Sequence, residues 1–447
     1  MILIKLKHSL WFLMACFSLI SAIAMLVSVS QLVTVILFPL KADTGRRFKG
    51  ILANGTINPV ANTTSYITSA YFDSREKPKI FVIGISKRHA TETHYCHFYC
   101  DSHLPSVKAR INVLIGHFDF PYAATKFQCD LPLNCIPKYV SISGPGQNLS
   151  LKDLPFLKIQ NLQMWKWNEP TNFEHNFTVC LPTLFAGYNK VLQFVQSIEM
   201  YRILGAQHIV LYKTNCSKDM ETVLEYYEKI GFIEVIPWPV TSYLNPSKGW
   251  QMSSHPGDIH YFGQVVIMND CLYRNMYKSK FIFLHDIDEI ILPLKHSNWA
   301  EMIEFLVREM PDTDIFLIRS LLMPVTVYDE NNTFPAEIWK GVLGENFHGP
   351  DILQHIYHEP YKEPINTYTK VIVNPRKVKQ TSVHVVTDSY GKEGTAAFKI
   401  CRLYHFREPE EDIIVKNLKK DTSLWRYSSL LRSRVHKVLN ATLCNRF

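Results

Sequence analysis

The 447-residue sequence lacks the glycine-rich loops with which many α/β proteins hold phosphate. It contains neither a Gly-x-Gly-x-x-Gly turn after a predicted strand nor a Walker-type Gly-Lys-Ser/Thr. It also lacks a block of lysine and arginine, an internal repeat and a low-complexity tract. These absences argue against a basic nucleic-acid-binding arm and against a repeat architecture. They also mean that the phosphates of any bound nucleotide must be held by other groups, such as a metal ion.

The composition is that of a protein with a substantial core. Hydrophobic residues make up 47% of the chain and aromatic residues 13%, which excludes a disordered protein. The length is sufficient for two or three domains. The net charge of +8 arises from 48 basic and 40 acidic residues that are interspersed. A mixed, solvated surface explains this charge, which predicts no more than a general preference for anionic ligands.

A long uncharged run near the N-terminus predicts the compartment. Residues 9–40 contain no charged side chain, and the run exceeds the ~20 apolar residues that a membrane helix needs. We therefore expect a short cytoplasmic tail at 1–8 and a transmembrane signal-anchor at 9–40. A cleaved signal peptide is the alternative, because Ala22-Ile23-Ala24 resembles a cleavage site. Both interpretations export the remainder, and we expect a single-pass type II membrane protein in the lumen of the Golgi or another secretory compartment.

Glycosylation acceptors and cysteines agree with export. Asn-x-Ser/Thr sequences occur at Asn54, Asn62, Asn148, Asn176, Asn215, Asn331 and Asn440. Cys16 lies in the uncharged run, and most of the other nine cysteines should form disulfides in an oxidising lumen, with a connectivity that the sequence does not give. A zinc cluster around Cys96 and Cys100, with several histidines nearby, is a less favoured alternative.

The segment before residue 176 divides into two parts. Residues 41–65 are rich in Gly, Asn, Thr and Pro and predict a stem without regular structure. Residues 66–175 predict a small β-rich domain, with strands at 80–86, 111–116 and 139–143. The sequence does not assign this domain a role, and a spacer, a glycan-binding module and an interface are all compatible with it.

From residue 176 to 447 the pattern changes to alternating strands and helices. Such alternation predicts an α/β fold in which helices cover the faces of a largely parallel sheet. Strands are expected at 177–181, 209–212, 232–236, 281–284 and 315–318. Helices are expected at 191–201 with a stop at Gly205, from Ser217 to Gly231, at 261–275 and at 298–308.

Two aspartates after one strand are the main chemical signal. Asp286 and Asp288 follow the apolar run 281–284, and residues two apart in extended backbone point to the same face. Paired carboxylates with open positions suit Mg²⁺ or Mn²⁺. Asp312 and Asp314 have the same spacing but precede their strand, whereas ligands in open α/β sheets bind beyond the carboxyl ends. A pair of solvated turn aspartates is the alternative interpretation of Asp286 and Asp288.

Several ordered sequence blocks resemble glycosyltransferase family 92. The resemblance covers roughly residues 177–410, with a weaker similarity from Tyr71 to Arg75. The blocks are Cys180-Leu-Pro-Thr-Leu-Phe185, Ile198-Glu-Met-Tyr-Arg-Ile-Leu-Gly205, His208-Ile-Val-Leu-Tyr212, Gly263-Gln264, Asn269-Asp270-Cys271-Leu-Tyr-Arg274, 283–289, Lys370-Val-Ile-Val-Asn-Pro375, Val383-His384 and Tyr404-His405-Phe406-Arg407. One departure is Phe406, where the family usually has tyrosine, and the missing hydroxyl could alter acceptor contacts.

The resemblance implies a GT-A type, Rossmann-like mixed sheet with helices on both faces. It also implies an inverting, metal-dependent transfer of a sugar, typically galactose, from a UDP-sugar to a glycan or glycoprotein acceptor, with Mn²⁺ or Mg²⁺ as cofactor. The alternative is a catalytically inactive glycan-binding or adhesion protein on a transferase scaffold. A metal-dependent phosphoesterase is a third interpretation, which the lack of a second predicted metal-ligand cluster disfavours.

The resemblance and the site chemistry together predict roles for individual residues. We expect Asp286 and Asp288 to bind the metal and diphosphate, with His384 as a further ligand and His405 as the alternative. Glu289 is interpreted either as a residue that orients these aspartates or as a solvated turn residue.

Other residues are predicted to bind the donor, the acceptor or the transferred proton. The expected donor-binding residues are Gln264, Asn269, Asp270, Lys370 and Arg407, for which helix-end hydrogen bonding and surface charge are the alternatives. An inverting transfer needs a general base, for which the candidates are Asp351, Glu359 and Asp388. Trp238, Tyr243 and Trp250 are candidates for stacking on sugar rings or, alternatively, for a core wall.

Overall fold

The computed structural model describes residues 51–100, 105–133, 135–146, 150, 153–165, 172–335, 337–344, 349–360, 369–409 and 414–443. The residues from 50 onward form one compact unit. The predicted tail and signal-anchor, 1–8 and 9–40, lie outside the described residues, as do residues 41–50 of the predicted stem; the rest of the stem, 51–65, contains two short strands. Within the described ranges, no helix is both long enough and apolar enough to cross a membrane.

The N-terminal part of this unit is a ten-stranded sheet, called here the first sheet. Two of the three strands predicted in this part are confirmed, and the third ends at Val113, before Gly116 turns the chain with a φ of 97°. The strands are β1 (Ile51–Leu52), β2 (Asn58–Pro59), β3 (Tyr66–Asp73), β4 (Lys79–Lys87), β5 (Tyr95–Tyr99), β6 (Ser106–Lys108), β7 (Arg110–Val113), β8 (Tyr122–Asp130), β9 (Tyr139–Ser143) and β10 (Pro155–Gln160).

The C-terminal part contains a nine-stranded mixed sheet, called here the second sheet, with the order β13-β12-β11-β14-β18-β16-β22-β15 and β21 beside β16. The first four strands in this order are parallel, and β18 runs antiparallel to both of its neighbours. The strands of this part, including two short separate pairs, are β11 (His175–Leu184), β12 (His208–Lys213), β13 (Ile233–Pro237), β14 (Ser279–Leu284), β15 (Glu289–Pro293), β16 (Thr313–Pro324), β17 (Tyr357–His358), β18 (Thr369–Val373), β19 (Val378–Thr381), β20 (Val386–Ser389), β21 (Lys392–Thr395), β22 (Cys401–Arg407) and β23 (Lys419–Lys420).

The helices begin and end where local signals predict. Ser217 caps its helix by accepting the Met220 N–H at 3.3 Å, and Gly205 ends the preceding helix with a φ of 110°. The helix predicted at 261–275 begins later, at Gln264, because Tyr261 has a left-handed φ of 38°. The described helices are α1 (Val191–Leu204), α2 (Lys218–Lys229), α3 (Gln264–Arg274), α4 (Trp299–Glu309), α5 (Glu337–Leu343) and α6 (Ser428–Thr442).

Both faces of the second sheet are buried. Successive side chains of each central strand pack into cores on opposite faces. Phe281 and Phe283 of β14 belong to one core cluster with residues of α1, α2, α4, α5 and α6. Ile282 and Leu284 belong to a second cluster, which contains residues of α3 and of the first sheet. The mixed α/β fold is therefore confirmed, but α3 and the first sheet cover the second face together. The predicted domain boundary near residue 175 stays a prediction.

Three disulfides crosslink the described residues. Cys96–Cys129 and Cys100–Cys135 lie within the N-terminal part, so these cysteines form crosslinks and not the alternative zinc cluster. Cys180–Cys271 joins β11 to α3. Cys216 and Cys401 are free thiols, whereas Cys16 and Cys444 lie outside the described residues.

Candidate active site

The predicted aspartates lie in the turn that joins β14 to β15, at the carboxyl end of β14. The buried Tyr201 of α1 holds this turn, because its hydroxyl lies 2.8 Å from the Glu289 carbonyl oxygen and 3.3 Å from that of Asp286. The backbone at Asp286 and Asp288 is a turn and not an extended strand. The two side chains therefore do not share one face by strand alternation, and each has its own partners.

Asp286 is bound by two donors that project from neighbouring elements. The Lys370 ammonium of β18 lies 2.7 Å from Asp286 Oδ2 and 3.3 Å from Glu289 Oε2, and Gln264 at the start of α3 donates to Asp286 Oδ1 at 3.0 Å. Burial opposes ionisation of Asp286, but the Lys370 ammonium outweighs it and holds the pKa of Asp286 below its ordinary value. Lys370, a predicted donor-binding residue, is only 1% exposed, and its ammonium is engaged by these two carboxylates.

Glu289 lies beneath the turn and is buried, which removes the solvated interpretation. Its Oε2 accepts the Asp286 backbone N–H at 2.7 Å, so it fixes the backbone of the turn. Burial raises the pKa of Glu289 above its ordinary value, and the charge of Lys370 opposes this effect. Glu289 thus orients Asp286 through the backbone and through the shared Lys370.

His405 approaches the turn from β22. Antiparallel pairing of β15 with β22 places His405 opposite Glu289, and its two ring nitrogens lie 3.5 Å from Asp288 Oδ1 and from Glu289 Oε1. Burial alone would lower the pKa of His405, but the two carboxylates outweigh burial and raise it. Arg407 lies two residues further along β22, and its charge acts on His405.

His384 lies near the same cluster but is held differently. It occupies the turn of the β19–β20 hairpin, and its Nδ1–H donates to the Thr369 carbonyl oxygen at 3.1 Å. A carbonyl can only accept, so Nε2 of the neutral ring carries the lone pair that a metal ligand needs. Burial and the nearby Lys370 lower the pKa of His384 to about 4, so the ring is neutral.

Two tyrosines at this edge were missed by the sequence analysis. Burial, together with the charges of Asp286 and Asp288, raises the pKa of Tyr261 to about 12. Tyr188 has a buried hydroxyl without a partner among the described residues, and burial together with the charge of Asp288 raises its pKa. The three consecutive left-handed residues that end at Gly263 orient Tyr261, and no sequence pattern signalled this backbone.

Asn269 and Asp270, two of the predicted donor-binding residues, are buried and engaged by hydrogen bonds within the protein. Asp270 is buried and accepts hydrogen bonds from Ser69, Tyr71 and Tyr212, so it joins α3 to both sheets. Asn269 is also buried and exchanges hydrogen bonds with the backbone of Thr381 at 2.8 Å and 3.1 Å. Hydrogen bonding within the helix, the alternative interpretation of these residues, is also present: Asn269 donates to the Val265 carbonyl oxygen at 2.8 Å, and Arg274 at the end of α3 donates to Asp270 Oδ2 at 3.1 Å.

The three general-base candidates occupy different environments. Asp351 is buried and accepts from Gln196 at 2.8 Å and from the Trp339 indole at 2.6 Å, which is a packing role. Asp388 is exposed beside Lys379, at 3.8 Å. Glu359 follows β17. Its backbone N–H donates to the carbonyl oxygen of Leu322 in β16, and Leu322 pairs with His405 of β22.

The aromatic candidates also separate. Trp238 is buried, and its indole N–H donates to the Phe262 carbonyl at 2.8 Å, so it is a core residue. Trp250 is 53% exposed in the loop between β13 and α3, whereas Tyr243 is partly buried. Phe406, the departure from the usual tyrosine of the family, is buried in the core cluster that includes α1.

The second Asp-x-Asp pair lies elsewhere. Asp312 is exposed and pairs with Lys392 at 3.2 Å, while Asp314 binds the Asn374 side chain at 3.2 Å. Neither contacts the cluster around Asp286. A cavity of about 330 Å³ between α5 and α6 also lies apart from it, and contains none of the predicted site residues.

The cluster fits a divalent cation by charge, although not as a preformed cage. Over the described part of the chain, no group of three or more His, Cys, Asp and Glu side chains is already arranged to hold a metal. Asp286 is engaged by Lys370, whereas Asp288 offers an oxygen ligand and His405 would offer a nitrogen ligand once it loses the proton that the two carboxylates favour. Three carboxylates and one ammonium then leave two negative charges, which one divalent cation would balance.

Comparison with known proteins adds an independent observation. The sequence model of Glycosyltransferase family 92 matches residues 175–443, which is more than half of the chain. Glycosyltransferase family 92 protein F13G3.3 of Caenorhabditis elegans is 27% identical over 207 residues, or 46% of this chain and 37% of that protein. Beta-1,4-galactosyltransferase galt-1 of the same organism is 23% identical over 274 residues, or 59% of this chain and 56% of that protein. The chain thus covers well under two thirds of either relative.

Solved structures are more distant. The crystal structure of S. aureus TarS 1-349 in complex with UDP aligns with 58% of this chain and 65% of that chain, at 10% identity and a TM-score of 0.28. A similarity of this size does not add to the assignment of fold or ligand.

Proposed function

The chain belongs to glycosyltransferase family 92, and we propose from this membership that it is a metal-dependent, inverting enzyme that transfers galactose from UDP-galactose to a glycan acceptor. The observation that carries the proposal is the cluster of Asp286, Asp288, Glu289, Lys370 and His405 at the carboxyl end of β14. That edge is where α/β sheets bind ligands. The choice of galactose rests on the name of the relative galt-1.

Asp288 and His405 are the residues that would hold Mn²⁺ or Mg²⁺, with His384 as a further nitrogen ligand. When bound, the cation would neutralise charge on the departing diphosphate. Asp286 is held by Lys370 and Gln264, so it is a fixed acceptor for a hydroxyl of the sugar donor. Arg407, at the end of β22, is the cation that we assign to the diphosphate.

The reaction exchanges one bond for another at the anomeric carbon. The acceptor oxygen forms a bond to that carbon as the bond to the UDP oxygen breaks, and the acceptor proton passes to a general base. We assign the base to Glu359, because β16 joins its backbone to the strand of His405. Neighbouring strands lie ~4.8 Å apart, so the two residues are separated by roughly 10 Å, which leaves space for a sugar ring.

We also propose a secretory-pathway location in a single-pass type II membrane protein. Three disulfides among the described residues suit an oxidising compartment. A glycan-binding protein without catalytic activity would not need the charged cluster around Asp286. The presence of this cluster therefore supports the enzyme over that alternative.

Asp288→Asn tests the proposed function. The change keeps the side-chain shape and removes a ligand charge, so UDP release from UDP-galactose in the presence of Mn²⁺ should fall by at least about 100-fold. Asp312→Asn is the matched control, since Asp312 belongs to the same Asp-x-Asp spacing but is exposed away from the site. Its activity should equal that of the wild type.

Two results would contradict this assignment. Full activity of Asp288→Asn would remove the metal role, and wild-type protein without UDP release from any tested UDP-sugar would remove the enzymatic function. Mn²⁺ affinity, measured by calorimetry on the same variants, separates loss of metal from loss of donor.

A further inference from the structure

The β19–β20 hairpin (378–389) carries His384, and residues outside the matched family segment hold it in place. Arg75, at the end of β3, directs its guanidinium to backbone carbonyls ahead of and within β19: Pro375 at 3.4 Å, Arg376 at 3.2 Å, and Val378. Asp73 fixes the other side of the guanidinium at 2.7 Å. The salt bridge is buried, so the direction of Arg75 is set by the first sheet.

Lys126 makes a second connection from the first sheet. This β8 residue is 3% exposed, and its ammonium donates to the Lys379 carbonyl oxygen at 2.9 Å. It also lies 5.0 Å from the ring of Phe81 and 5.8 Å from the ring of Tyr273. Tyr273 itself donates to the same carbonyl at 3.1 Å. A buried ammonium is unfavourable in a core, so its retention at this carbonyl needs an explanation.

The inner end of the hairpin is fixed as tightly. Asn269 of α3 binds both backbone groups of Thr381, three residues before His384. Gly116, in the loop before β8, approaches Ser382 so closely that a Cβ at this position would collide with the Ser382 hydroxyl. These contacts are made largely with the backbone of the hairpin, so they fix its path irrespective of its own side chains.

We propose that the first sheet positions the catalytic hairpin: Arg75 and Lys126 are positioning residues that hold β19 so that His384 faces the Asp286–Asp288 turn. This inference rests on the proposed function for the role of His384. It assigns the N-terminal part a task inside the transferase and not that of a detachable glycan-binding module or spacer. The family segment begins at residue 175, so both residues lie outside it.

Hydrogen exchange followed by mass spectrometry tests the proposal on the whole chain, without metal or donor. Peptides within 378–389 should exchange roughly tenfold faster in Lys126→Met, the change expected for loss of one hydrogen bond from a charged donor, and faster still in Arg75→Gln. Peptides of β14 should be unchanged. Arg110→Gln is the matched control, because Arg110 pairs with Asp130 on the exposed edge of the same sheet.

Activity provides the second readout. Lys126→Met should lower kcat for UDP-galactose about tenfold at an unchanged urea midpoint, which a merely structural role would not produce. Hairpin exchange equal to that of the wild type in Lys126→Met overturns the proposal, whether or not Arg75→Gln folds. Faster hairpin exchange in a protein whose wild type releases no UDP supports the positioning and contradicts the proposed function, so the two failures are distinguishable.

Discussion

Replacing Lys126 by methionine should change how stability depends on pH. The ammonium is buried against the Phe81 ring and bonds one carbonyl, and burial is the largest cause that lowers its pKa, followed by the charge of Arg75. The pKa falls from its ordinary value of 10.5 to about 8. Methionine matches the length of the side chain and carries no charge, so Lys126→Met removes the buried charge without opening a large cavity.

The sign and magnitude follow from proton linkage. The unfolded chain keeps the Lys126 proton up to about pH 10.5, whereas the folded protein releases it near pH 8. The unfolded state therefore binds more protons in this window, and the contribution of Lys126 to stability rises with pH from about 8 to 10.5. One pKa unit corresponds to about 1.4 kcal/mol, so the wild type should gain about 3 kcal/mol across the window relative to Lys126→Met.

Urea unfolding of both proteins at several pH values between 7 and 10 measures this gain. The difference in unfolding free energy between the proteins isolates Lys126, because the buried tyrosines that also titrate are common to both. At pH 7 the variant should be at least as stable as the wild type, since removal of a buried charge offsets the lost hydrogen bond. Unfolding free energies that stay parallel from pH 7 to 10 would refute the reasoning.

Three further changes separate the remaining roles. We propose that the Tyr188 hydroxyl, which has no partner among the described residues, contacts the donor; Tyr188→Phe should then keep stability within about 0.5 kcal/mol while KM for the donor rises about fivefold, and an unchanged KM contradicts that contact. Asp351→Ala leaves three buried donors unpaired and should lower the unfolding free energy by about 3 kcal/mol, with kcat per folded molecule preserved; loss of kcat would restore Asp351 as the base. Joint replacement of Cys180 and Cys271 by alanine should cost about 2–4 kcal/mol in urea unfolding, and an unchanged midpoint would contradict the crosslink.

The sequence predicts the strands and helices of the second sheet well, because their signals are local. Ser217 caps α2, and Gly205 ends α1 in the left-handed conformation that glycine adopts readily. The start of α3 was misplaced because Tyr261 and Phe262 have left-handed φ angles that interrupt the helix there. The apolar periodicity of the preceding segment does not indicate this left-handed backbone.

For the candidate site, the sequence indicates some residues and not their partners, because only some of the contacts are local in sequence. A short run of carboxylates after a strand is visible in the sequence itself, so Asp286 and Asp288 could be selected as candidates from the sequence alone. Their partners are brought together by pairing between distant strands: Lys370 lies on β18, and His405 reaches Glu289 only through the register of β15 with β22. Sequence spacing contains no information about such registers.

Asp270 shows how burial limits what the sequence predicts about polar residues. This carboxylate on α3 was predicted to bind the sugar donor. In the structure it accepts hydrogen bonds from Tyr71 of the first sheet and Tyr212 of the second sheet. Burial of both faces of α3 demands such satisfied polar groups, since an unpaired carboxylate in a core is strongly unfavourable. The same burial ties the first sheet to the second. The positioning of His384 by Arg75 and Lys126 is therefore a consequence of one shared core, and a transferase truncated at the start of the family segment would lose the support of its catalytic hairpin together with half of that core.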